Sequence, residues 1–311
     1  MKTAPYPAEI DKLFANGDPE EVWPKAAEIV GCISPAYDFG IARTAFDDIV
    51  RLFRGEYPGY CPVRTPYHDL HHTLDVFLCA VRLMHGAHLS GIRLGDDEVT
   101  AIMMGALMHD IGYAQREDEE SGTGAQHTRS HVGRGIEFMR RYAAERRLPP
   151  GLAACLGFII LCTDPALPLA EIHFPNERIR LLGQIVATAD LTGQMADRTY
   201  LEKLLFLYLE FEEAHFGSFR SIHDLLRNTR RFYESTRRKL DGELGGIYTR
   251  LVFHFKDRLG VERNYYLESI EKNIAYLDKV MSLNEAKHLS MLKRGGIVER
   301  TGSLVASADV T

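Results

Sequence analysis

The sequence predicts an all-α fold, a compact domain of many helices, and two observations carry this prediction. No stretch keeps the apolar–polar alternation of a strand, whereas apolar residues recur at helical spacing along most of the chain. Short clusters of Gly, Pro and Asp separate the helical segments. In chain order, we predict helices over 19–31, 41–54, 66–85, 97–110, 130–147, 151–162, 178–195, 199–215, 221–240, 247–258 and 264–282.

The domain organisation follows from the same pattern. No linker-like composition interrupts the run of helices, so we expect a single all-helical domain over residues 1–290. After about residue 290 the chain loses helical periodicity and ends in small polar residues. The sequence therefore predicts a flexible C-terminal tail over residues 291–311.

The composition is that of a soluble globular protein. The 311 residues include 45% hydrophobic and 26% charged side chains, and the formal net charge is −6. Because this mild acidity gives no global attraction to anionic polymers or surfaces, we expect neither a nucleic-acid polymer nor a membrane as partner, and a homodimer is left open. The five scattered cysteines form no C-x-x-C pair, and the N-terminus lacks the apolar core of a signal peptide. Both features predict a cytoplasmic protein.

The helix predicted over 66–85 carries the first chemical signal. Its expected boundaries are an N-cap, a proline in the first turn and a closing glycine, at Thr65, Pro66 and Gly86. The helix is apolar nearly all round, yet His68, His72 and Asp75 fall on one strip because they are spaced four and three residues apart. Taken alone, such a His pair is more often a solvated or hydrogen-bonded pair than a binding site.

Two other predicted core helices also combine an apolar sequence with isolated acidic or imidazole side chains. One apolar helix ends directly at His109-Asp110, and another meets Asp190. Stranding a polar group in a core costs roughly 2–7 kcal/mol, so these groups need partners. Divalent cations neutralise two buried aspartates among histidines most readily, and nitrogen and oxygen donors suit Zn, Mn, Fe or Mg.

The order H…HD…D, filled here by His72, His109-Asp110 and Asp190, resembles the HD superfamily of metal-dependent phosphohydrolases. The stretch from Tyr67 to Val76 is similar to the Y-H-N-x-x-H-A-x-D-V signature of the cyclic nucleotide phosphodiesterase catalytic domain. Residues 160–164 and 189–191 resemble that family's V-L-A-T-D and A-D-L stretches. The resemblance spans a motif-bearing core of about residues 60–215.

The resemblance implies an HD/phosphodiesterase-like fold with two divalent metal ions. The first metal would be held by two imidazoles and two carboxylates, those of His72, His109, Asp110 and Asp190. Asp110 would bridge to the second metal, and His68 would be the general acid. Asp75 would hydrogen-bond a ligand imidazole, and Asp69, Asp75 or another carboxylate would support the cationic form of His68.

The sequence departs from the family at two points. Tyr113 stands where the H-D-x-x-H-P-G motif would have its second histidine. After a polar insertion, His127 and His131 follow one turn apart, and either could serve the second metal or the phosphate, a surface pair being the alternative. No counterpart of the glutamine that grips the purine in the eukaryotic enzymes is found, so the substrate cannot be carried over from them.

We therefore expect a metal-dependent phosphohydrolase that acts on a small-molecule phosphoester or nucleotide. The leading expectation is a (cyclic) nucleotide phosphodiester cleaved by metal-activated hydroxide with His68 as general acid. Three alternatives stay open: an HD-type nucleotide phosphomonoesterase, a di-iron oxygenase of the same fold, and a non-catalytic ligand-sensing domain.

Overall fold

The secondary structure of the chain is helical. The computed structural model describes Leu13 and residues 17–119, 122–217 and 219–301. Within these residues there is no strand, and the β-type pairing is one isolated antiparallel bridge between Tyr60 and Arg116. The predicted all-α fold is confirmed.

The helices follow the predicted segments closely. Their bounds are α1 Pro19–Ile33, α2 Gly40–Phe53, α3 Leu70–Leu89, α4 Asp96–Met108, α5 His131–Glu145, α6 Pro150–Leu161, α7 Glu177–Ala196, α8 Tyr200–Glu213, α9 Ile222–Asp241, α10 Leu251–Leu259, α11 Tyr265–Met281 and α12 His288–Met291. Short 3₁₀ turns lie at Ile111–Tyr113, Ala125–His127, Leu169–Glu171, Ile247–Arg250, Glu285–Lys287 and Arg294–Gly296. No helix among the described residues is long and apolar enough to cross a membrane.

Helix α3 is the central element of the fold. Every residue from His72 to Ala87 is buried, and α3 packs against α1, α4, α7 and α10. One hydrophobic cluster extends from α3 into all of these neighbours. Polar groups on α3 therefore face other helices, as the apolar flanks of this segment predict.

The start of α3 differs from the sequence prediction. The helix begins at Leu70, where the Asp69 side chain caps it by accepting a 2.8 Å hydrogen bond from the His72 N–H. Thr65, the predicted cap, instead donates its hydroxyl to the His68 carbonyl at 2.7 Å. His68 therefore precedes the helix in a bend, and the predicted helical strip of His68, His72 and Asp75 is wrong for His68.

The end of α3 also differs, for a packing reason. Gly86 was expected to close the helix, but α3 continues to Leu89. A Cβ atom on Gly86 would lie 2.1 Å from the Arg250 carbonyl oxygen. The glycine therefore allows the chain entering α10 to pack directly on α3.

The predicted tail boundary at residue 291 has to be corrected. Leu292 and Ile297 are buried, and the Arg294 guanidinium donates to the Arg198 carbonyl at 2.7 Å and to Asn273 Oδ1 at 3.0 Å. Residues 291–301 thus pack against the helical domain although they lack helical periodicity. Residues 302–311 of the predicted tail lie outside the described residues.

Gly112 fixes the approach of α5 to the turn that follows α4. A Cβ atom at this position would lie 1.8 Å from the His131 carbonyl oxygen and 2.8 Å from the Gly135 nitrogen. Helix α4 ends four residues before Gly112, at Met108. The glycine brings the first residue of α5 close to the His109-Asp110 pair.

We predict that Gly112→Ala lowers the free energy of unfolding by about 1–3 kcal/mol, because the added methyl group overpacks this contact. The matched control is Gly133→Ala in α5, where a Cβ atom meets nothing within 4 Å. That substitution should stabilise the protein by roughly 0.5–1 kcal/mol. Urea unfolding monitored by circular dichroism measures both, and equal stability of Gly112→Ala and wild type would contradict the close packing.

Candidate metal centre

Three helices deliver the predicted first-metal ligands to one point. Nε2 of His72, on α3, lies 3.2 Å from Nε2 of His109 and 3.1 Å from Oδ2 of Asp110, at the end of α4. Oδ1 of Asp190, on α7, is 3.6 Å from the His72 nitrogen and 3.7 Å from the His109 nitrogen. The resemblance implied these four residues as ligands of the first metal, and the structure places them in one cluster.

The donor set fits a cation. Nδ1 of His109 lies 2.9 Å from the Ala106 carbonyl oxygen, so a proton donated there leaves the Nε2 lone pair directed at His72. Two imidazole nitrogens that face each other need a proton or a cation between them. Ligands about 2.1 Å from a shared ion lie about 3.0 Å apart at right angles and about 3.4 Å apart at the tetrahedral angle. The spacings among His72, His109 and Asp110, 3.0 to 3.2 Å, match that range, and these three residues form a group able to hold a metal ion. Asp190 lies slightly farther out, at 3.6 and 3.7 Å from the two imidazole nitrogens.

The two oxygens of Asp110 face different partners. Oδ2 is turned to His72 and His109, at 3.1 and 3.0 Å, whereas Oδ1 lies 3.5 Å from Nε2 of His131. Nδ1 of His131 is 2.7 Å from the Thr128 carbonyl oxygen, which leaves its Nε2 toward Asp110. Asp110 therefore joins the four-residue cluster to a third imidazole, that of His131.

His127, the other histidine of the predicted pair, lies elsewhere. Its Nε2 atom is 3.8 Å from the Glu119 carboxylate, and Glu119 in turn holds Arg134 in a pair of hydrogen bonds of 2.7 and 2.9 Å. Of the two candidates for the second metal or the phosphate, the structure places His131 beside Asp110 and His127 beside Glu119.

The charges of the cluster depend strongly on one another. Burial alone would raise the pKa of Asp110, but the adjacent His109 and His72 imidazoles hold it well below its usual range. Burial lowers the pKa of His109, and the Asp110 carboxylate outweighs burial and raises that pKa to about 9. The carboxylate is therefore ionised, and a bound cation would take the place of the imidazolium proton.

His68 is held by a carboxylate that the sequence analysis did not name. Nδ1 of His68 lies 2.5 Å from Oε2 of Glu210, on α8, and Oε1 of Glu210 accepts from the Tyr67 and His68 backbone N–H groups at 2.6 and 3.2 Å. Burial lowers the pKa of His68, but the charge of Glu210 and this hydrogen bond raise it to about 9. The imidazole is therefore cationic at neutral pH, with Nε2 left for another partner.

The carboxylates predicted to support His68 have other partners. Asp69 caps α3, and an Asp75 oxygen lies 3.4 Å from Nε2 of His71, which is not in the cluster. Of the expected alternatives, Asp69, Asp75 or another carboxylate, the structure places another carboxylate, that of Glu210, on His68. A helical pattern could not reveal this pair, because 142 residues separate the two side chains.

Tyr113, which replaces the family's second histidine, is the middle ring of a three-ring stack. Its ring centroid is 4.5 Å from that of His68 and 4.7 Å from that of His131, with interplanar angles of 15° and 16°. The ring fixes the planes of the two imidazoles on either side of it.

A hydrogen-bonded chain orients Asp190. Tyr67 donates its hydroxyl to Oε1 of Gln194 at 2.8 Å, and Nε2 of Gln194 donates to Oδ1 of Asp190 at 3.2 Å. Neither Tyr67 nor Gln194 was assigned such a role from the sequence. Both side chains fix the direction of the carboxylate that completes the cluster.

A cavity of about 360 Å³ opens onto this centre. Four candidate site residues form part of its wall: His68, Asp110, His131 and Asp190. The 160–164 stretch, singled out by its resemblance to V-L-A-T-D, contributes Cys162 and Thr163 to the same wall. A small molecule in the cavity would therefore reach both the cluster and His68.

A family model matches part of the chain. A family model described as Npun_R2479-like matches residues 117–240, less than half of the chain. The matched segment includes His131, Asp190 and Glu210 but begins after His72 and His109-Asp110. No curated protein and no solved structure matches the chain significantly.

The cluster predicts which substitutions weaken cation binding. Asp110→Asn should weaken binding of Mn²⁺ or Zn²⁺ by at least about 100-fold, since even changes to groups that only orient a ligand cost 10- to 100-fold. His127→Asn is the control and should bind the cation as wild type does. Calorimetric titration of chelator-treated protein measures both, and equal losses in the two variants would contradict the assignment.

The His68–Glu210 contact predicts how the pKa of His68 responds to a substitution of Glu210. Glu210→Gln should lower the pKa of His68 below its wild-type value of about 9, because the charge that outweighs burial is removed. Glu213→Gln is a matched control on the same helix, since Glu213 hydrogen-bonds Thr123 instead. NMR titration of the imidazole in chelator-treated protein reports the midpoint, and an unchanged midpoint in Glu210→Gln would contradict this pairing.

Proposed function

We propose that this protein is a metal-dependent phosphohydrolase that hydrolyses a phosphoester bond of a small molecule. One observation carries the proposal: Asp110 and Asp190, the two carboxylates of a cluster fit for a cation, line the same cavity as a cationic His68 held by Glu210. The order of the cluster residues along the chain, with its resemblance to the HD superfamily, supports the same reaction class.

His72, His109, Asp110 and Asp190 would hold the first divalent cation, and Asp110 with His131 would contribute to a second. Divalent cations bound there would polarise the phosphoryl group and supply hydroxide near neutral pH. The division of the Asp110 oxygens, Oδ2 toward His72 and His109 and Oδ1 toward His131, supports the use of one carboxylate by two cations.

His68 would protonate the departing ester oxygen. Glu210 engages Nδ1, so Nε2 is the atom that would transfer a proton into the cavity. The Glu210 carboxylate raises the pKa of His68 and so favours the protonated imidazole, and the stack on Tyr113 keeps its plane fixed. Glu210 stabilises the charge and orients the ring, which makes it a positioning residue.

We place the reaction in the cytoplasm. The five cysteines are all unpaired, and three of them, Cys79, Cys155 and Cys162, are buried. Unpaired thiols persist in a reducing compartment, which supports this location.

The proposed acid role predicts a separation of binding from turnover. His68→Ala should keep cation affinity but reduce kcat by about 10²–10⁴-fold on a phosphodiester with an alkoxide leaving group. Asp110→Ala should lose both cation binding and turnover. On a nitrophenyl ester the loss in His68→Ala should be smaller, because nitrophenolate departs without a proton.

The measurement is steady-state turnover in Mn²⁺, with cation affinity determined on the same samples. Wild-type turnover by His68→Ala on the alkoxide ester would rule out the general-acid role. Failure of the wild-type protein to cleave cyclic mononucleotides, cyclic dinucleotides, nucleoside monophosphates and nitrophenyl phosphoesters, with cation bound, would contradict the proposed reaction.

A further inference from the structure

The cavity wall changes character away from the candidate metal centre. Helices α8 and α9 and the segment between them contribute apolar side chains to it: Leu204, Leu207, Phe211, Phe216, Phe219, Leu225 and Phe232. Phe232 is 47% exposed and lies on this wall. The hydrophobic core does not need this ring, whereas a ligand in the cavity could cover it.

Three polar side chains of this wall donate their hydrogen bonds within the protein. The hydroxyls of Thr163 and Thr229 donate to the carbonyl oxygens of Ile160 and Leu225, at 2.8 and 2.9 Å. The Asn228 amide donates to the Asp224 carbonyl oxygen at 2.8 Å, within its own helix. A nucleobase is recognised by donors and acceptors directed into a pocket, and the donors of these three side chains are directed into the protein.

Positive charge is also sparse along the cavity. Lys239 is the single lysine or arginine among the described residues that line it. A polyphosphate or a dinucleotide would place further anionic groups against apolar walls with little countercharge. The wall therefore favours a ligand whose negative charge is confined to one phosphoryl group at the metal centre.

We infer that the substrate is a phosphoester of a bulky apolar alcohol, with the phosphoryl group at the candidate metal centre and the hydrocarbon portion between α8 and α9. This inference rests on the proposed function for the phosphoryl end. The placement of the hydrocarbon portion is argued from the residues of the cavity wall alone. Leu207, Phe211 and Phe232 are specificity-determining residues in this assignment.

Alkylphosphonates test the inference by binding, because they carry phosphoryl oxygens and no hydrolysable ester bond. The full chain, loaded with Mn²⁺, is titrated calorimetrically with methyl-, butyl- and octylphosphonate. Each added methylene should lower Kd about three- to fourfold, so octylphosphonate should bind on the order of 100-fold more tightly than butylphosphonate. Equal Kd values along the series would overturn the inference and leave the proposed function standing.

Phe232→Ala tests where the alkyl chain of the ligand lies in the cavity. It should raise Kd for octylphosphonate about three- to tenfold and leave Kd for methylphosphonate unchanged. Phe253→Ala, which removes a ring 39% exposed on α10, is the matched control and should change neither. Equal effects of the two variants would overturn the placement between α8 and α9.

The corresponding alcohols separate the two hypotheses. Butanol and octanol lack the phosphoryl group, so their chain-length dependence reports the apolar wall alone. If octylphosphonate binds no more tightly than octanol in the presence of Mn²⁺, the phosphoryl site of the proposed function fails while the apolar pocket is supported. If neither series binds, both hypotheses are contradicted.

Discussion

The arrangement of the site depends on one electrostatic constraint: two aspartates and two histidines meet between core helices, where their charges have few other partners. His72 and His109 are almost fully buried, and Asp110 lies between them. Burying such groups is unfavourable unless a proton or a cation lies among them. Helices α3, α4 and α7 are held in place by apolar packing, so the cluster is imposed by the fold and cannot relax by moving apart.

A second layer of contacts orients this cluster and the acid beside it. Gln194 fixes Asp190, and backbone carbonyls fix the ring nitrogens of His109 and His131. Glu210 fixes His68 through its Nδ1 atom. The site thus has one group of residues suited to bind a cation and another suited to deliver a proton, which is the division of roles that phosphoester hydrolysis requires.

Helical periodicity predicted the fold class and the longer helices, with bounds within four residues of the observed ones. Polar residues on otherwise apolar helices predicted the four clustered side chains. These signals are local, because each depends on residues within one helix. The register of His68 was wrong because the Asp69 cap starts α3 four residues later than Pro66 suggests. Glu210 and the packing of Leu292 were missed because both depend on tertiary contacts between distant parts of the chain.

Anomalous diffraction from crystals grown with Mn²⁺ tests the central claim most directly. The account predicts an anomalous peak bounded by the Nε2 atoms of His72 and His109 and by the carboxylates of Asp110 and Asp190. A map in which these four side chains keep their spacing, with no anomalous peak among them at saturating Mn²⁺, would contradict it.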